Sequence, residues 1–203
     1  MSRNTEPGFL LDFIDPLFAV VLSLSFGQIL VADSWIWDLT KGAQMFEFWV
    51  LMLGYLFVVL SWIGYHKSLR TAPLKANTLS GIFRFIVDVF LLMLFFLLLV
   101  SFQDFGRVLR LIVVIFVFFV AWDVLKASEY PPGGNVESIL RRGVTVFWLV
   151  FFFIIWVARG SVAISDWFFF GLASTGTILY RVHKGKLTCR KLLQFLGYSW
   201  LGI

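Results

Sequence analysis

Six long apolar runs, near residues 13–32, 46–65, 82–101, 108–126, 143–158 and 162–180, constrain this chain more than any other feature. A helix of about 20 apolar residues spans the hydrocarbon of a bilayer. Runs of this length and spacing specify an all-α integral membrane protein, a six-transmembrane-helix bundle over residues 1–185 followed by a basic amphipathic tail over 186–203. The residue balance agrees, with 60% hydrophobic and 14% charged, where a soluble domain is nearer half and one quarter. The opening MSRNTEPGFLLD lacks the basic start and small-residue cleavage site of a secretory signal, so the first helix is expected to be retained. The polar intervals are no longer than ordinary loops and leave no room for a soluble domain.

The breaks between runs are legible from turn chemistry. Trp35 and Trp37 before the second run suit an interfacial aromatic anchor. SFQDFGR reads as a tight turn between helices three and four, and Pro131, Pro132, Gly133 and Gly134 make the clearest break in the chain. Helix five is short between Arg142 and Arg159 unless those arginines snorkel, and Asp166 shortens helix six, so a shallow hairpin is a second reading of that pair. In the six-helix arrangement thirteen of the 17 Lys and Arg residues fall on one side and four on the other. That asymmetry places both termini in the cytoplasm. It also explains the net charge of +5 without a nucleic-acid partner. Leu192, Leu193, Phe195, Leu196 and Trp200 above a basic stem fit a helix lying on an anionic leaflet, or one packed against the bundle or a neighbouring subunit.

Ionisable groups at membrane depth are costly and need a partner or a water path. Asp15 precedes Pro16 and reads as a cap of helix one. Arg84 and Asp88 are spaced to pair along helix three, and Asp123 and Lys126 along helix four, with Asp88 turned toward helix one or two as the sharper alternative. His66 lies at the border of helix two, far in sequence from His183, and the single Cys189 permits no disulfide, so no metal or cofactor is expected. GxSxG, Walker A and HExxH motifs are absent, and no enzymatic activity is expected.

Helix one carries the most distinctive pattern. Pro16, Val20, Ser23 and Gly27 fall on one stripe. A narrow stripe with one hydroxyl can line a thin pore when several copies meet around an axis, and it reads equally as a close-packing seam. Phe13-Ile14-Asp15 followed by Leu17-Phe18-Ala19-Val20, with Trp62 and His66 closing helix two, is similar to the transmembrane protein 175 family of potassium channels. Motifs supporting the resemblance lie in helices one and two.

The resemblance implies a homotetramer whose pore is lined by helix one, with Val20 as an apolar neck, Ser23 as a hydroxyl ring tied to potassium preference, and Gly27 and Val31 continuing that face outward. Phe13, Asp15, Trp62 and His66 are implied as a structural signature at the base of the helix. K+ is then the permeant ion, and a bacterial inner membrane the expected location. Several positions depart from the family pattern. Ile14 replaces the signature Ser, Phe9 stands where the family has Arg, and Asp88 lies near a helix-three Asn. The alternative is a non-conducting membrane scaffold or sensor whose basic tail recruits a cytoplasmic protein or membrane lipids. A small transporter is disfavoured, because neither inverted repeats nor mid-membrane breaks are visible.

Overall fold

A computed structural model of the chain describes residues 8–31, 42–72, 74, 78–130 and 136–185. Trp35, Trp37, Cys189 and the tail over 186–203 lie outside them. All regular structure among the described residues is helical: α1 Gly8–Val31, α2 Gly42–Thr71, α3 Leu79–Val100, α4 Phe105–Glu129, α5 Val136–Ser161 and α6 Asp166–Gly185.

Short polar signals set several ends. Thr78 caps α3, its hydroxyl accepting from the Gly81 N–H at 3.1 Å. Asp104 caps α4 by accepting from the Arg107 N–H at 3.0 Å, so the expected turn falls at residues 101–104. Two expectations are corrected here. α1 begins at Gly8, which puts Asp15 and Pro16 inside the helix and removes Asp15 as its cap. α5 has 26 residues and runs past Arg142, so it is not short. The helix simply continues through the arginine, whose aliphatic stem is compatible with helical backbone.

Consecutive helices run antiparallel, as their cross-helix partners show. Asp15 meets His66, Tyr65 meets Asp88, Arg84 meets Glu129, and Asp123 meets Thr145. Among the described residues, four helical segments are long and apolar enough to cross a membrane: Met45–Leu69, Leu79–Val100, Phe105–Glu129 and Arg142–Ser161. The described apolar part of α1, Asp15–Gly27, is shorter. α6 opens on Asp166 and carries Arg181, His183 and Lys184 near its other end, which leaves a modest apolar stretch between.

The core is aromatic and lies between α2, α3, α4, α5 and α6. Phe116 sits 6.0 Å from Phe57, 5.0 Å from Phe152 and 4.8 Å from Tyr180, ring centre to ring centre. Leu98, Leu99, Leu109, Ile112 and Ile115 close around this cluster and are fully buried. The outer faces are apolar as well, with Phe83, Phe90 and Met93 exposed on α3 and Phe147, Phe153 and Ile154 on α5. Helices that are apolar both inward and outward belong in lipid. α1 sits at the edge of the bundle, packed on α3 and α2; among its described side chains Phe18 and Val21 are buried in the core, and Leu17 and Leu22 pack against it.

Candidate functional site

The two faces of α1 differ in every respect. Its inner face is Phe18, Val21 and Ser25, spaced by three and four residues as one helical stripe requires. Phe18 lies against Trp62, Tyr65 and Phe95 at ring separations of 6.4, 6.4 and 5.9 Å. The Ser25 hydroxyl donates to the Leu22 carbonyl at 2.9 Å and lies 3.2 Å from the Tyr55 hydroxyl. The opposite face turns away from the protomer. Pro16 and Ser23 are exposed, and Val20 keeps 47% of its surface open. A methyl group added at Gly27 would meet nothing within 4 Å. Val31 is helical backbone at the end of α1; its side chain, like that of Phe13, lies outside the described residues.

At the base of α1 three residues separated by about fifty positions come together. Asp15 Oδ2 lies 3.0 Å from His66 Nε2, and Trp62 Nε1 donates to Asp15 Oδ1 at 3.3 Å. Trp62 and His66 pack edge to face at 4.9 Å, one helical turn apart. The carboxylate is therefore a tie between helices. It fixes the rotation of α1 on α2, and that rotation aims the Pro16–Val20–Ser23–Gly27 stripe outward.

Beside this tie lies a seam of cross-helix polar contacts, and two expected pairings are corrected by it. Arg84 does not pair with Asp88. Its Nη1 donates to Glu129 Oε2 at 2.6 Å, with both side chains fully buried, and its Nη2 donates to the Ala72 carbonyl at 2.8 Å. A cation placed before an acid at i, i+4 is the weaker order of such a pair, and the guanidinium fork can satisfy a carboxylate and a carbonyl at once. Asp88 instead accepts from the Tyr65 hydroxyl at 2.9 Å, which is the sharper reading of that residue.

Asp123 likewise does not pair with Lys126. It accepts from Thr145 Oγ1 at 2.6 Å and from Lys184 Nζ at 2.7 Å, while Lys126 donates to Ser68 and lies over the Trp122 ring. Arg181 donates to Ser61. It reaches that hydroxyl by lying on the backbone of α2 at Gly64, where an added methyl group would sit 2.5 Å from its Nη1. Just beyond α4, burial first and the Glu129 carboxylate second hold the Tyr130 phenol above its usual range.

Ser61, Tyr65, Trp122, Glu129, Thr145 and Lys184 carry much of this seam and were not singled out by spacing. Each partner lies on another helix, so no i, i+4 rule reaches it. A glycine at position 64 within an apolar helix is the one local sign of a close approach. Among the described residues no group of three or more His, Cys, Asp or Glu is placed to hold a metal ion. The seam joins hydroxyls, carboxylates and cations of different helices, and so positions those helices against one another. Compared with models of known families, with curated proteins and with solved structures, the chain matches none.

Proposed function

We propose that this protein is an oligomeric, potassium-preferring cation channel, a homotetramer in which four copies of α1 surround the conduction path. The observation that carries this reading is the outward placement of Pro16, Val20 and Ser23, with open space before Gly27, on a helix whose other face is tied to α2 and α3. A small-residue face left unpartnered by its own protomer is suited to close approach between copies. In this arrangement all six helices cross a bacterial inner membrane, with both termini in the cytoplasm. Val20 forms an apolar neck that gates by dewetting, and Ser23 offers oxygens to a partly dehydrated ion.

The Asp15–Trp62–His66 tie holds the rotation of each α1, so the neck has a defined diameter. The resemblance to the transmembrane protein 175 family points the same way. The test is cation flux from purified protein in liposomes. Val20→Asn keeps the neck wetted, and several-fold faster flux is expected. Unchanged flux in the variant, or none in either protein, overturns the proposal.

A further inference from the structure

Several cations of the bundle are matched inside it. Arg84 has Glu129, Arg159 has Asp166, Lys184 has Asp123, and Arg181 has the Ser61 hydroxyl. Arg107 and Arg110 on α4 differ. Both are exposed, and neither is ion-paired to a carboxylate among the described residues. Asp104, the acid nearest to them in sequence, is engaged at the start of α4, where it accepts from the Arg107 backbone N–H.

The two arginines are three residues apart, so one face of the helix carries both. They lie within about 8 Å of Phe105 along the axis, at the end of the bundle where α3 turns into α4. Below them the same face of α4 continues as Val114, half-buried, then Val117 and Val124, both exposed. Phe153 and Val157 are exposed on α5. The charge therefore sits at the top of an apolar slope.

Trp156 on α5 sets the level of that charge. The Arg110 guanidinium carbon lies 5.7 Å from the centre of the Trp156 ring, and Phe153 packs on the same indole at 5.8 Å. Tryptophan is favoured where hydrocarbon meets headgroups, and the cation–π contact holds Arg110 there. The fork of a guanidinium matches two oxygens of a phosphate. At this depth the phosphate available is that of a lipid, and its chains have the apolar slope to lie on. A zwitterionic lipid brings its own cation, so two unmatched arginines favour an acidic one.

We propose that Arg107 and Arg110, with Trp156 beside them, bind the phosphate of an anionic phospholipid whose chains lie along the Val114, Val117 and Phe153 surface. α1 packs on α3 and α2, so this α4–α5 site is separate from the stripe assigned to conduction. It stands whether or not the protein conducts ions.

The test is local labelling of the full chain in vesicles of phosphatidylcholine and phosphatidylglycerol, with a photoactivatable phosphatidylglycerol as the probe and the labelled peptides located by mass spectrometry. Labelling of the α4–α5 face is expected, and Arg107→Gln with Arg110→Gln should lower it on the order of tenfold while labelling of the basic tail over 186–203 stays as it was. Arg107→Lys with Arg110→Lys keeps the charge and should keep much of the labelling, which separates a lost phosphate site from a misfolded chain. No labelling there in the parent, equal labelling by photoactivatable phosphatidylcholine, or labelling that survives in the glutamine variant overturns the proposal. So does loss of labelling in the lysine variant. Displacement of the probe by inorganic phosphate at constant ionic strength identifies a site for free anions and overturns the lipid assignment.

Discussion

The aromatic core and the polar seam hold the same helices together by different means. In the core, Phe57, Phe116, Phe152 and Tyr180 interlock by shape, and no bond there names a particular partner. In the seam, Arg84 has one carboxylate and one carbonyl, Asp123 has one hydroxyl and one ammonium, and Arg181 has one serine. Lipid tails are as apolar as phenylalanine, so apolar burial alone gives membrane helices little reason to choose one register over another. The core supplies packing. The seam supplies identity, because a shift of one turn would break several of these pairs at once.

Substitutions can break this contrast. The largest effect is expected from Glu129→Ala, which leaves Arg84 buried without its carboxylate and should cost about 3–5 kcal/mol in unfolding followed in detergent. Replacing both partners, as Arg84→Met with Glu129→Leu, should come back close to the parent stability. If the double variant is as damaged as the single one, the seam is doing more than satisfying its own charges. Phe116→Ala should cost about 3 kcal/mol through the void it leaves, yet keep the cross-helix pairs intact in a structure of the variant. Ser61→Ala removes the acceptor of Arg181 and should cost about 1–2 kcal/mol by thermal unfolding, with α6 loosening first in hydrogen exchange.

His66→Leu loosens a tie that is partly open to solvent, so its effect on stability should be only about 0.5 kcal/mol. Cross-linking between cysteines placed on neighbouring copies of α1 should change more than stability does, since the tie sets rotation. Smallest of all, Val20→Asn should leave protomer stability within about 0.5 kcal/mol, because Val20 keeps 47% of its surface open. A large loss there would place the stripe inside the fold and end its contrast with Phe18.

How much of this was legible beforehand follows from the reach of each rule. The runs of apolar residues gave helices in the right places, and the SFQDFGR turn falls between α3 and α4, while the break expected at residues 131–134 lies outside the described residues. The two faces of α1 were readable because periodicity is a property of a single helix. The joining of Asp15 with Trp62 and His66 is a relation between two helices, and family resemblance rather than spacing singled out those residues. Arg84 shows the limit. Its nearest acid in sequence is one turn away, but its partner is 45 positions away on α4. Nothing in local spacing measures that distance. The start of α1 and both ends of α5 were also placed too far inward, since charged residues were read as stops where the helix continues through them.

One small feature at the far end of the bundle bears on how the chain reaches its membrane. Arg159 grips Asp166 through two bonds, at 2.8 and 3.0 Å, across the short link between α5 and α6. Each charge alone costs roughly 2.5–3.5 kcal/mol at the centre of a bilayer. Clasped together they form a tip of no net charge, which lowers the cost of bringing the α5–α6 link into contact with a bilayer. Severing that clasp should therefore show itself first during biogenesis, as chains that stall or insert with the wrong polarity, before it shows in the finished protein.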